Sequence, residues 1–162
     1  KNFWHGLHAT TLSRLGLMRA FAGDFDGARL ACDESVARSQ GQEASSEPPD
    51  LNSLGPSLLI SSVFRAFDGD HAGARGGLEK AVALARARAA VDPDDHEGLS
   101  ILCAAQVALA RIAAKDGDEP AAKAHRREAW DSLRRMRDAG LELKPRLQDE
   151  LDRLDAEFGA EG

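Results

Sequence analysis

The chain has 162 residues, of which 43% are hydrophobic and 30% charged. This composition suits one soluble globular domain and argues against a disordered chain. Its formal net charge of −6 argues against nucleic acid and anionic membranes as partners. No run of eighteen apolar residues is present, so we expect no membrane span. Alanine and leucine dominate, and tyrosine is absent. Composition therefore predicts an all-α fold.

Cysteine use and the first residues bear on location. Cys32 and Cys103 fall in helix-like segments without metal-ligand spacing. The simpler interpretation is a reduced, cytoplasmic setting. A disulfide between the two cysteines remains an alternative. Residues 1–7 do not form a signal-peptide pattern. Because the chain begins with Lys1 rather than Met, we expect a shortened expressed form, a processed product or a piece of a longer protein, from which a true targeting signal could be missing.

A short phrase occurs three times along the chain: Gly-Asp, followed four residues after the Asp by Ala. It starts at Gly23, Gly69 and Gly117, a pitch of 46 and then 48 residues. Gly can take the left-handed conformation that ends a helix, and Asp can cap the next one. Apolar residues at spacings of three and four flank each phrase. Each phrase therefore predicts the corner of an antiparallel helical hairpin with close helix contact at the Ala.

In chain order, the pattern predicts one domain spanning 1–162. Residues 40–50 are rich in Ser, Glu, Gln and Pro and read as a flexible loop. Pro93 stops a helix, and the following Asp residues start the next one. Pro145 opens a last amphipathic helix whose polar outer face suits a cap. The predicted elements are hairpin 1 at about 3–39, the loop at 40–50, hairpin 2 at about 51–91, hairpin 3 at about 95–139, and a capping helix at about 145–158.

The three Gly-Asp phrases and the helical patterns that flank them resemble the tetratricopeptide repeat. Hairpin 1 carries Leu15-Gly16, Gly23-Asp24 and Ala28, and the Gly-Asp and Ala positions recur in hairpins 2 and 3. Hairpin 2 departs from the pattern, with Ser61-Ser62 where the family has Leu-Gly. The resemblance covers residues 9–140 and implies a right-handed superhelical stack of hairpins, an α-solenoid. The long period is similar to repeat tracts of large bacterial signalling proteins.

The resemblance also implies a binding face. In that family the first helix of each hairpin lines a concave groove, and here those positions are mostly apolar. We therefore expect a non-catalytic scaffold or adaptor that binds a partner protein or peptide, or a neighbouring domain of the parent chain. The expected partner-binding residues are Arg14, Leu17, Phe21, Ile60, Val63, Phe67 and Arg111.

Other motifs are weaker. His5 and His8 lack a third ligand, and the acids and His of 92–97 suit helix capping better than metal binding. Residues 72–77 lack the lysine of a phosphate loop. We expect no catalytic residues, no metal and no cofactor.

The sixth predicted helix is basic and supports an alternative, a nucleic-acid or regulatory-ligand module. An acidic seventh helix could instead pair with it. The basic residues are Lys123, Arg126, Arg127, Arg134, Arg135 and Arg137, with His125 beside them.

Overall fold

The computed structural model describes the backbone of residues 3–43 and 51–161. Side chains are described in these ranges except at 3–8, 10, 21, 40–43, 51–53 and 161. The described chain contains helices and turns and no strand, which confirms the all-α prediction. The helices are α1 (Phe3–Phe21), α2 (Phe25–Glu43), α3 (Leu51–Phe67), α4 (His71–Val91), α5 (His96–Lys115), α6 (Glu119–Asp138) and α7 (Pro145–Phe158), followed by a 3₁₀ turn at Gly159–Glu161.

The predicted helices are present, and one boundary was wrong. Residues 40–43, assigned to the loop, continue α2 to Glu43. Gln40, Gln42 and Glu43 are compatible with helix despite Gly41, and no proline stands there to prevent it. Residues 44–50 lie outside the described residues.

The chain divides into two compact units, Lys1–Leu84 and Ala85–Gly162. We call them unit 1 and unit 2. The division falls inside α4, so unit 1 holds the first hairpin and most of the second. Unit 2 holds the third hairpin and α7.

Each Gly-Asp phrase forms the same turn, with the glycine at a φ of +79° to +86°. At the first, the N–H of Gly23 donates to Ala20 O and the N–H of Asp24 donates to Arg19 O, the bond pair of a Schellman motif. The Asp24 carboxylate then accepts from the N–H of Gly27 at 2.9 Å. Asp70 and Asp118 repeat this geometry at 2.9 and 3.1 Å. One aspartate thus ends one helix and caps the next.

Small residues bring the helices of unit 1 close together. A Cβ on Gly16 of α1 would lie 2.4 Å from Cys32 Sγ of α2. Hairpin 2 has Ser62 where hairpin 1 has Gly16, and here the facing helix supplies the glycine. A Cβ on Gly77 of α4 would overlap the Ser62 hydroxyl. Ala28, Ala74 and Ala122, the alanines of the three phrases, are fully buried, as the close-contact prediction requires.

Buried serines tie α1, α2 and α3 together. The Ser35 hydroxyl donates to Ala9 O at 2.6 Å, and it lies 2.6 Å from the Ser57 hydroxyl. Ser61 of α3 donates to Asp33 of α2 at 2.5 Å.

Unit 2 has a larger apolar core. Trp130, Leu133 and Met136 of α6 and Leu99 and Cys103 of α5 are buried in one cluster with three residues of α7. Helix α5 is long and apolar enough, by length and composition, to cross a membrane. In this fold, 61% of its apolar window is buried inside the protein, as expected for a core helix.

Candidate functional site

The structure places the predicted partner-binding residues in different environments. On α1, Arg14 is exposed and Leu17 is 42% exposed. On α3, Ile60 and Val63 are half-buried, and Phe67 is 83% exposed. Arg111 is exposed on α5 of unit 2. The Phe21 side chain lies outside the described residues.

The groove that stands out in unit 1 joins the start of α2 to the end of α3. Its lining comes from Phe25, Asp26 and Arg29 of α2, from Phe64 and Phe67 of α3, and from Asp68 just after α3, and its volume is about 360 Å³. We call it the Phe groove. Phe25 and Phe67 are 64% and 83% exposed. Exposed aromatic side chains gathered on a polar surface are a feature of binding sites.

An ion pair crosses the Phe groove. Arg29 Nη1 lies 2.9 Å from Asp68 Oδ2, and the guanidinium also stands 4.0 Å from Asp26. The side chain of Asp26 is 96% exposed. The ion pair links Arg29 of α2 to Asp68 just after α3, and Asp26 leaves one largely solvated carboxylate at the edge of the groove. Such a site offers apolar contact area with polar groups that can orient a ligand.

The sequence prediction included Phe67 and missed the other five lining residues. The prediction followed the first helix of each hairpin, whereas half of this lining comes from α2. One signal was available. The residue after each Gly-Asp is Phe25, His71 or Glu119, so the first repeat alone has a large apolar residue at a position where the others are polar.

Unit 1 exposes further apolar side chains. Leu15 and Met18 of α1 and Leu30 of α2 are exposed together with Leu17. They extend the apolar character of α1 and α2 beyond the Phe groove.

The acidic segment 92–97 pairs with Arg88 of α4, chiefly through Asp95. Asp95 stands at the N-cap position of α5, as predicted, but its side chain makes no capping hydrogen bond of normal geometry. The carboxylate instead accepts from Arg88 Nε at 2.6 Å and from Nη2 at 2.9 Å. Burial raises the pKa of Asp95, but the Arg88 guanidinium and nearby backbone N–H groups outweigh it and hold the pKa below its usual value. Asp95 therefore occupies the predicted cap position, while the hydrogen bonds of normal geometry to its carboxylate come from Arg88 of α4.

Reactive groups are few in the described part of the chain. Cys32 and Cys103 are free, buried thiols. Burial, with a smaller effect of Asp33, raises the pKa of Cys32 to about 11. Burial, with a smaller effect of Glu150, raises that of Cys103 to about 12. No group of three His, Cys, Asp or Glu side chains is placed to hold a metal ion among the described residues. The His5 and His8 side chains lie outside them.

The basic α6 pairs with acidic neighbours. Arg126 Nε lies 2.9 Å from Glu157 of α7, and its Nη2 lies 2.6 Å from Glu119. Arg137 stands 3.7 Å from Asp155 of α7. His125 Nδ1 lies 2.7 Å from Gln106 Oε1, so that nitrogen carries the hydrogen. Two of the six predicted cations, Arg126 and Arg137, are thus paired with carboxylates instead of being directed only at solvent. The nucleic-acid alternative stays a prediction without a specific contact in its favour.

No protein-family model matches the chain, and no curated protein matches its sequence.

Proposed function

We propose that the chain is a non-catalytic interaction module that binds a partner protein or peptide through unit 1. The observation that carries the proposal is the Phe groove, where Phe25 and Phe67 are more than half exposed beside the Arg29–Asp68 ion pair. Keeping two phenylalanine rings in water is unfavourable, and a ligand that covers them recovers that free energy. The proposed ligand is a segment with at least one large apolar side chain.

The proposed architecture is a tetratricopeptide-like stack of the three hairpins, in a cytoplasmic setting. Its support is the turn shared by Gly23, Gly69 and Gly117 and the buried alanine of each phrase. The proposed binding surface combines the Phe groove with the predicted face of α1 and α3. Leu17, Ile60 and Val63 would extend the apolar contact, and Arg14 would help to orient the partner. Arg111, exposed on α5 of unit 2, stays a separate predicted partner-binding residue.

The test uses a displayed library of random peptides selected on the full chain. Peptides that also bind F25A/F67A are removed, and the affinity of the remaining peptides is measured by calorimetry. One phenylalanine covered by a ligand contributes about 2 kcal/mol, which corresponds to roughly 30-fold in Kd. We expect each single substitution, Phe25→Ala or Phe67→Ala, to weaken a selected peptide by about that factor.

Val91→Ala is the matched control. Val91 is 89% exposed and lies outside the groove, so its removal deletes exposed apolar surface without touching the site. We expect unchanged peptide affinity in this variant. If selection yields no peptide that distinguishes the wild type from F25A/F67A, the Phe groove is not the binding site.

A further inference from the structure

Helix α7 lies in unit 2 with its apolar stripe buried. Leu151, Leu154 and Phe158 are at most 1% exposed, and Leu147 is partly buried against the same cluster. The spacing of four, three and four residues puts all of them on one helical face. The surface that covers this stripe comes from α5 and α6.

The face beneath α7 has the anatomy of an interface. Its centre is apolar, with Leu133 and Met136 fully buried. Trp130 is buried there too, and its indole N–H donates to Asp155 Oδ1 at 2.6 Å. Arg127 stacks on Phe158 with its guanidinium carbon 4.4 Å from the ring centre. A buried aromatic residue with one satisfied polar atom is a typical interface anchor.

Charge is divided across this contact. Arg126 and Arg137 of α6 face Glu157 and Asp155 of α7 at 2.9 and 3.7 Å. The α5–α6 side therefore supplies cations and the α7 side supplies carboxylates, at the rim of an apolar centre. This arrangement selects an amphipathic helix that carries acids beside its apolar stripe.

Helix α7 also has the properties of a docked ligand. With 14 residues it is too short to be stable alone in water, so its helical state depends on the face that it covers. A separate segment, 139–144, connects it to α6. The α5–α6 hairpin is closed by its own turn at Gly117–Asp118 and does not need α7 to form that corner.

We propose that the α5–α6 face is a binding site for an acidic amphipathic helix. Helix α7 occupies it within the chain, and the α7 segment of a second copy can take its place. Helix α7 defines what the site accepts. The occupant is a helix with an apolar stripe spaced like that of residues 147–158 and with carboxylates at the positions of Asp155 and Glu157. The inference concerns unit 2 and does not depend on the Phe groove.

The tether hides this site in the intact protein. A segment linked by a short connection competes at an effective concentration in the millimolar range, so an untethered α7 segment of equal affinity is excluded. Weakening the internal α7 should therefore reveal binding of an added one. The chosen probe is a fluorescein-labelled synthetic peptide with the sequence of residues 143–160.

The experiment measures peptide binding to the full chain by fluorescence anisotropy. L154A/F158A removes two fully buried anchors from the internal α7, and we expect it to bind the peptide up to roughly 1,000-fold more tightly than the wild type does. A control peptide with Leu151→Asp and Leu154→Asp should show no binding. A peptide with Asp155→Asn and Glu157→Gln should bind several-fold more weakly.

A second variant guards against loss of the fold. D155N/E157Q of the full chain changes only the rim of the contact, and we expect it to bind the wild-type peptide several-fold more tightly than the wild-type chain does. Circular dichroism establishes that each variant is helical. If neither folded variant binds the peptide better than the wild-type chain, the α5–α6 face is core surface only and the proposal is overturned.

Discussion

A pair of glycine-to-alanine substitutions in unit 1 tests the turn that organises the hairpins. Gly69 stands between α3 and α4 at a φ of +86°, and no atom lies within 4 Å of an added Cβ. Gly69→Ala thus adds backbone strain without a clash. Gly76 lies inside α4, also with open space around an added Cβ and without a positive φ. Gly76→Ala is therefore the same chemical change in an ordinary helical conformation.

The two substitutions should change stability in opposite directions. A non-glycine residue in the left-handed conformation costs about 1–2 kcal/mol. The stiffer unfolded chain offsets about 0.4–1 kcal/mol of this, so the net loss at Gly69 is roughly 1 kcal/mol. At Gly76, alanine is favoured over glycine by about 0.8–1 kcal/mol in a helix interior. The variants should therefore differ by about 2 kcal/mol.

Urea denaturation followed by circular dichroism at the helical band measures both values. Both positions lie in unit 1, so one unfolding transition reports both changes. We expect the midpoint to fall for Gly69→Ala and to rise for Gly76→Ala. The same sign for both substitutions would refute the claim that Gly69 is present for its backbone conformation.

Three further predictions concern contacts described above. Gly16→Ala should destabilise the protein by about 1–3 kcal/mol, because the added Cβ would lie 2.4 Å from Cys32 Sγ in a packed core. In a double-mutant cycle, adding Cys32→Ala should recover part of this loss. If the changes in unfolding free energy of the two substitutions simply add, the contact is contradicted. Asp95→Asn should cost about 1.5–3 kcal/mol at neutral pH. The folded pKa of Asp95 lies below the usual 3.8. The stability that the Asp95 carboxylate contributes is therefore present above pH 3.8 and is lost as the pH falls through the folded pKa. Urea denaturation should show the difference in free energy of unfolding between the variant and the wild type shrinking in acid. Cys32 and Cys103, with pKa values of about 11 and about 12, should react with Ellman's reagent at mildly alkaline pH only after unfolding; rapid reaction of the native protein would contradict their burial.

The sequence predicted the parts of the fold that depend on local chemistry. Gly23-Asp24 and its two repeats encode a helix stop and a helix start within neighbouring residues, so the corners could be located without tertiary information. The end of α2 could not, because the Ser, Gln and Glu residues near 40 are compatible with both helix and loop.

The site was harder to predict because exposure is a tertiary property. Phe25 and Phe67 have the composition of core residues, and only the packing of α2 against α3 leaves them in water. The Asp95 carboxylate was expected to cap its own helix. Its partner Arg88 is seven residues earlier, on α4, and only the geometry of the α4–α5 connection brings the two together. Likewise, Gly77 replaces the missing glycine at Ser62 from the opposite helix, which no pattern within α3 could indicate.

The double role of Asp24, Asp70 and Asp118 has a consequence for altering this protein. Since the residue that closes one helix also opens the next, these corners contain no spacer residue. Any added amino acid would separate the two roles and release both helix ends at once. Epitope tags, cleavage sites or fluorescent reporters should therefore be inserted elsewhere. The exposed stretch at 92–94 offers such a place, because its side chains are solvated and the Arg88–Asp95 pair beyond it clamps the ends of the connection.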